Sequence, residues 1–208
     1  LVAAGLTAIY GFYQARRRPR ARELAIPIEN LPAALKGFRI AQISDVHVGP
    51  TIKADFVRGI AETVQAAAPD LIVFTGDLAD GDVARLGVHV QPLANLRAPH
   101  GCFFVTGNHE YYSGVKDWLA VIGELGFRAL INEHVLIERG GSRIVLAGVT
   151  DDSAGAIEVG HASDPDRALS GAPAADLRIL LAHQPRSAVA AASHGFDLQL
   201  SGHTHGGQ

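Results

Sequence analysis

Cysteine and methionine are all but missing from this chain: its 208 residues include one cysteine, Cys102, and no methionine. A single thiol excludes an internal disulfide and any all-cysteine zinc site. It favours a reducing compartment, although many exported proteins also lack disulfides. Low complexity is absent as well. A composition of 48% hydrophobic and 19% charged residues is one that folds, and 23 glycines with 10 prolines do not make a collagen-like chain. Acidic residues are missing ahead of Glu23, where five arginines stand: Arg16, Arg17, Arg18, Arg20 and Arg22. Taking these five from the 18 basic residues leaves 13 against 21 acidic from Glu23 onward, a balance of −8. An acidic body argues against nucleic acid as the main partner, because that binding rests on phosphate neutralisation. The lack of methionine, with Leu1 at the start and Gln208 directly after a glycine-rich motif, reads as a piece of a longer protein.

The first 15 residues, LVAAGLTAIYGFYQA, are apolar and run straight into the arginines. As a helix they span about 22 Å, against a hydrocarbon core about 30 Å thick. The stretch therefore reads as the tail of a membrane-anchor helix. Tyr10, Phe12 and Tyr13 then lie at the interface, and residues 1–22 form an anchor plus basic juxtamembrane segment. The arginines, and with them the rest of the chain, fall on the cytoplasmic side. An amphipathic or loose N-terminal helix is the alternative. A secretory signal has the opposite order, with basic residues before apolar ones. Residues 23–36, with Pro27 and Pro32, read as a linker or edge segment leading to a domain over 37–208.

Within that domain short apolar runs alternate with helical stretches. The runs Phe38–Ser44, Leu71–Thr75, Cys102–Thr106, Val135–Ile137, Ile144–Val149, Leu177–Ala182 and Leu198–Leu200 read as buried strands. Helices are expected over about 54–67, 83–96, 115–125 and 186–192. The alternation predicts an α/β domain with crossover helices. Thr150 to Pro173, rich in Gly, Ala, Ser and Asp, reads as a long loop that is either a lid or an excursion.

Polar residues follow the strands: Asp45-Val46-His47, Gly76-Asp77, Gly107-Asn108-His109-Glu110, His183, and Ser201-Gly202-His203-Thr204-His205. Ligands of open α/β sheets bind beyond the carboxyl ends of the strands. Asp45, His47, Asp77, Asn108, His183, His203 and His205 are metal-ligand types, and their imidazole and carboxylate mixture suits first-row divalent ions. Seven are too many for one ion and fit two, with a carboxylate as bridge.

These five ordered blocks resemble the calcineurin-like metallophosphoesterases, over about Phe38 to His205. The resemblance implies a four-layer α/β/β/α sandwich and two divalent ions (Mn, Fe, Zn, Ni, Co or Mg). Asp45, His47 and His205 are then ligands of one ion, Asn108, His183 and His203 of the other, and Asp77 the bridge. It implies hydrolysis of a phosphoester by a hydroxide held between the ions. His109 is implied as the catalytic residue that steadies the phosphoryl oxygens or protonates the leaving group. Family protein phosphatases carry Asp-Arg-Gly after the second block. Here Gly76-Asp77-Leu78-Ala79-Asp80-Gly81-Asp82 has no arginine, which disfavours that branch. The apolar start and the blocks ISDVH and GHTHGGQ look most like bacterial membrane-associated phosphodiesterases, some of which cleave the pyrophosphate of UDP-2,3-diacylglucosamine. A small-molecule or lipid-linked phosphoester is the expected substrate. The rivals are a nuclease of the same fold and a non-catalytic metal-binding scaffold.

Other residues carry lesser expectations. Asp80 either orients a ligand from behind or caps the following helix, and Glu110 has the same choice at a helix start. Asp151 and Asp152 follow a strand near the site and either touch substrate or, the commoner job for aspartate, make a turn. His89, His100, His134, His161 and His194 fit no motif and are expected to be solvated. Trp118 and Cys102 are read as packing residues.

Overall fold

In the computed structural model, residues 1, 16, 18, 207 and 208 lie outside the described part of the chain, as do the side chains of 14 and 15. Helix α1 (Val2–Ala15) comes first, with Leu6, Ile9, Tyr10, Phe12 and Tyr13 exposed. Its 14 residues span about 21 Å. No helix among the described residues is long and apolar enough to cross a membrane.

Two four-stranded sheets follow. The first holds β1 (Ile40–Ile43), β2 (Leu71–Phe74), β3 (Cys102–Phe104) and β4 (Arg128–Ala129), parallel and in that order. In the second, β5 (Glu133–Arg139) pairs antiparallel with β6 (Ser142–Gly148), which continues in parallel to β7 (Leu177–Leu181) and β8 (Leu198–Leu200). The crossovers are α2 (Ala54–Ala66), α3 (Val83–Val90), the pair α4 (Asn108–Tyr112) and α5 (Val115–Glu124), then α6 (Pro165–Leu169) and α7 (Ser187–Ala191).

The twofold alternation of strand side chains sorts the core into layers. Leu71 and Val73 of β2 face Ile144, Leu146, Ile179 and Leu181 across the gap between the sheets. Their neighbours Ile72 and Phe74 face α2, α3 and α5. Val57, Ile60, Ala61 and Val64 give α2 one apolar stripe for that layer. On the far side, Ala147, Leu180 and Ala182 pack against Ala168 of α6 and Ala191 of α7. This is the α/β/β/α sandwich the motifs imply. Trp118 is fully buried in the first helical layer, and its indole N–H donates to Gly81 O at 3.0 Å.

Several sequence expectations need correction. The helix expected over 83–96 ends at Val90 and runs on as a 3₁₀ turn over Gln91–Asn95, because Pro92 lacks the N–H an α-helix needs. Residues 23–36 do more than link: Leu35 is 1% exposed in the inter-sheet core, and Ile28 and Leu31 pack on it. The stretch 150–173 is not a plain loop. It contains a 3₁₀ turn (Ala154–Ala156) and α6, whose N-cap Asp164 accepts from Arg167 N at 2.9 Å. Its ends are tied by Asn132, whose Oδ1 accepts from Thr150 N at 3.3 Å and Asp164 N at 3.1 Å, while Nδ2 donates to Ala162 O at 2.8 Å. The five unassigned histidines are all half-buried, not solvated. His134 bonds Ala168 O, His161 bonds the Tyr111 hydroxyl, His194 pairs with Asp166, and His100 lies against Phe38.

Candidate metal centre

The parallel ladder does not stop where β1 and β2 end. Asp45 N donates to Gly76 O (3.0 Å), His47 N to Asp77 O (3.1 Å) and Val48 N to Leu78 O (2.8 Å), so the two following loops stay paired. They bend sharply all the same. Asp45, His47, Asp77, His203 and His205 hold positive φ of 52°, 49°, 58°, 68° and 47°. A left-handed backbone at non-glycine residues is costly, and such strain gathers at functional sites.

The bends turn the side chains towards one edge. His47 Nε2 lies 3.1 Å from His205 Nε2, and His205 Nε2 lies 3.5 Å from Asp45 Oδ1. His183 Nε2 lies 3.1 Å from both His203 Nδ1 and Asp77 Oδ2. Asp77 Oδ2 is also 3.7 Å from His47 Nε2, which puts this carboxylate between the two groups. Asp45, His47 and His205 form one set whose ligand atoms all lie within 4.8 Å of one another, and Asp77, His183 and His203 form a second. Asn108 Oδ1 is buried and has no hydrogen-bond partner among the described residues. A buried amide oxygen without a donor is costly, and a cation would satisfy it. The donor set, with lone pairs converging and one oxygen orphaned, fits divalent ions.

The ring nitrogens that face away are held from behind. His183 Nδ1–H donates to Thr75 O at 2.7 Å, leaving Nε2 for the cluster. His47 Nδ1–H donates to Asp80 Oδ1 at 2.7 Å, and His109 Nδ1 lies 2.8 Å from the same oxygen. Asp80 therefore orients two histidines at once. The cap of α3 is Asp82, whose Oδ1 accepts from Arg85 N at 2.9 Å. Glu110 is 1% exposed and accepts three backbone N–H groups: Gly107 at 2.7 Å, Leu78 at 2.7 Å and Asp77 at 3.0 Å. Asp151 is a turn residue, its Oδ1 accepting from Ser153 N at 2.8 Å, and its Oδ2 takes the Gln184 amide at 2.8 Å. Thr75 was not legible as a site residue, because it acts through its carbonyl and any residue type supplies one.

The electrostatics belong to the metal-free protein. Burial lowers the His183 pKa, but the Asp77 hydrogen bond and charge outweigh it, and the imidazole is pushed up to about 9. Burial raises Asp77, yet His183 and the His109 N–H hold its carboxyl below the usual range. Glu110 is pushed up, first by burial and then by the Asp77 charge, against its three N–H donors.

Two glycines are fixed by close approach. A Cβ on Gly107 would collide with Asp77 Oδ1, and one on Gly202 would collide with Ser44 Oγ and Asp45 Oδ2. The approach of the His203 turn to Asp45 is similarly tight, since His203 N donates to both Asp45 oxygens, at 2.8 and 3.1 Å.

A two-sheet α/β sandwich with a His, Asp and Asn cluster at its strand ends defines a class of metal-competent proteins. The calcineurin-like phosphoesterase profile matches residues 38–207, and the chain belongs to that family. It is 38% identical over 215 residues to a zebrafish (Danio rerio) transmembrane protein with metallophosphoesterase domain, covering 100% of this chain and 49% of that protein. It is 40% identical over 199 residues to an uncharacterized metallophosphoesterase of Helicobacter pylori, covering 95% and 52%. The chain thus spans about half the length of these relatives. Among solved structures, a Thermus thermophilus 5'-nucleotidase precursor superposes with a TM-score of 0.56 at 16% identity, over 81% of this chain and 42% of that one. At that identity the likeness speaks for the fold alone.

Proposed function

We propose that the protein is a binuclear metal-dependent hydrolase of phosphodiester or pyrophosphate bonds. The observation that carries this reading is Asp77, whose Oδ2 lies 3.1 Å from His183 Nε2 and 3.7 Å from His47 Nε2, between two three-residue sets. Asp45, His47 and His205 would hold one ion, Asn108, His183 and His203 the other, and Asp77 both. A pair of divalent cations supplies an acidified water as nucleophile and neutralises phosphoryl charge.

The chain's own residues do the rest. Thr75 O and Asp80 fix the ring orientation of His183 and His47 before an ion arrives, so little reorganisation is left. Asp80 Oδ1 also lies 2.8 Å from His109 Nδ1, and the His109 side chain, 34% exposed, stands at the open side of the cluster. There it binds a phosphoryl oxygen or donates a proton to the departing alkoxide. The substrate is a nucleotide or lipid-linked phosphoester, and the −8 body speaks against a nuclease. A scaffold is disfavoured by the presence of His109 alongside all seven ligand positions.

The chain is proposed to sit at a membrane through its N-terminus, with the hydrolase domain on the cytoplasmic side. The support is the exposed apolar side chains of α1, the arginines that follow, and relatives whose names describe transmembrane proteins.

The test strips the protein of metal, restores Mn²⁺, Mg²⁺ or Zn²⁺ singly, and assays a nitrophenyl phosphodiester and UDP-2,3-diacylglucosamine. Activity should require metal and vanish in Asp77→Asn and His205→Ala. His109→Ala should bind metal normally and turn over about 10²–10⁴-fold more slowly. Full activity in Asp77→Asn would sink the reading.

A further inference from the structure

Helix α4 is five residues long and splits cleanly by direction. Glu110 and Tyr111 point inward, at 1% and 5% exposure. Tyr111 is anchored there, its hydroxyl 3.2 Å from Thr106 Oγ1 and 2.9 Å from His161 Nδ1. Asn108, His109 and Tyr112 take the other side. His109 and Tyr112 are three residues apart and so stand one above the other on the helix surface. Their rings are 5.6 Å apart between centroids and tilted by 60°.

Tyr112 is 64% exposed, and its hydroxyl makes no hydrogen bond among the described residues. No packing explains it: the inward neighbour Tyr111, not Tyr112, joins Val115 and Ala154 in the local apolar cluster. An exposed aromatic ring whose ring contact among the described residues is His109, itself 34% exposed beside the cluster, is a platform awaiting a partner. The partner must reach His109 as well, which makes it part of the substrate. A large flat face favours another flat π-system over an alkyl chain, because stacking adds to simple area burial.

We propose that Tyr112 is a specificity-determining residue that stacks on a planar ring, an aryl group or nucleobase, carried by the leaving alcohol of the substrate. The inference rests on the hydrolase reading for its leaving group and adds the chemical class of that group. The loop that follows β6 stiffens the platform from behind. His161 bonds Tyr111 of α4, and Glu158 pairs with Lys116 of α5 at 3.2 Å, so both helices are tied to that loop.

The experiment has a binding arm and a kinetic arm, both on Mn²⁺-loaded protein. Calorimetry gives the affinities of phenylphosphonate, methylphosphonate and octylphosphonate. Kinetics give kcat/KM for methyl p-nitrophenyl phosphate and methyl trifluoroethyl phosphate, so that each variant is judged by its planar-to-non-planar ratio relative to wild type. Stacking of one ring predicts a wild-type phenyl-over-methyl affinity preference of about 5- to 150-fold, and a matching change in the kinetic ratio relative to wild type, that collapses in Tyr112→Ala and persists in Tyr112→Phe. Metal content measured alongside reports whether the centre is intact. A preference that survives Tyr112→Ala, or that is lost equally in Tyr112→Phe, overturns the proposal. So does a wild type that binds octylphosphonate best, which would assign the surface to an alkyl chain. If wild type hydrolyses neither diester while holding metal, the reaction class fails. The phosphonate affinities still judge Tyr112 in that case.

Discussion

Glu110 touches no proposed substrate and no proposed ion, yet its removal should be among the most damaging single changes in the domain. Its two oxygens hold three backbone N–H groups, those of Gly107, Asp77 and Leu78, at 2.7–3.0 Å in a fully buried setting. These amides belong to the two turns that present Asp77 and Asn108. Glu110→Ala would orphan all three at about 1–3 kcal/mol each, or roughly 3–9 kcal/mol against a typical total stability of about 5–15 kcal/mol. Relief of the repulsion from Asp77, which pushes the Glu110 pKa up, offsets part of that loss. Glu110→Gln is the sharper test. Its amide oxygen can replace Oε2, which serves Asp77 N and Gly107 N, but its NH₂ then faces Leu78 N, donor against donor. One lost partner predicts about 1–3 kcal/mol, or a melting-point drop on the order of 2–12 °C for a domain of this size. Thermal melts in EDTA read the stability term, and calorimetric titration with Mn²⁺ reads whether the turns still present their ligands. Metal-free Glu110→Ala melting within about 2 °C of wild type would refute the reasoning, as would Glu110→Gln proving as damaging as Glu110→Ala.

Three further outcomes are expected. Asp80→Asn keeps the fold but loosens both His47 and His109, so metal affinity or turnover should fall about 10- to 100-fold; equilibrium dialysis and steady-state kinetics separate the two. The metal-free protein should lose stability as pH rises. The folded His183 pKa of about 9 stands above its ordinary 6.5, so the contribution is whole below 6.5 and gone above 9. An ion must displace that proton, so uptake should tighten with pH across the same window and release protons measurable in buffers of different ionisation enthalpy; a pH-independent affinity would contradict the His183–Asp77 coupling. Cys102 is buried and its thiol pushed up, first by burial, so native protein should resist iodoacetamide at pH 8 while unfolded protein reacts at once.

The sheets were legible because each buried strand is a short apolar run whose two faces both meet a core, as in Leu71–Phe74. Elements that depend on partners were less so. β4 is two residues, Arg128–Ala129, and reads as a strand only because Phe103 and Phe104 lie alongside it. Helix α6 hid in a loop-like composition, although Asp164 followed by Pro165 is a helix-start signal that composition masked. The site divides along the same line. Residues proposed to act through their own chemistry, the seven candidate ligands and His109, stand out by type and position after strands. Asp80 and Glu110 were visible only as alternatives, since an aspartate three residues past the bridge serves a cap as well as a histidine. Asp82 two residues on takes the cap and leaves Asp80 to its two imidazoles.

The strained backbone explains why the centre needs this much support. Five of its residues hold positive φ, and none is glycine. Within the cluster a single imidazole–imidazole hydrogen bond joins His47 Nε2 to His205 Nε2 at 3.1 Å, and Asn108 Oδ1 is buried without a donor among the described residues. That arrangement persists because the loops remain in the parallel ladder through Val48–Ala79, and because Glu110, Thr75 and Asp80 bind the turns and rings from outside the cluster. Preorganisation of this kind shifts the cost of assembling the ligands from metal binding to folding. Gly202→Ala should expose the trade. Its Cβ collides with Ser44 Oγ and Asp45 Oδ2, so relief requires the His203–His205 loop to move away from Asp45. The metal-free variant should then fold with near-normal stability, because the displaced loop is exposed beyond β8, while Mn²⁺ affinity falls by at least tenfold as His203 and His205 leave their sets. Unchanged affinity in Gly202→Ala would show that the ions, and not the folded loops, draw the ligands together.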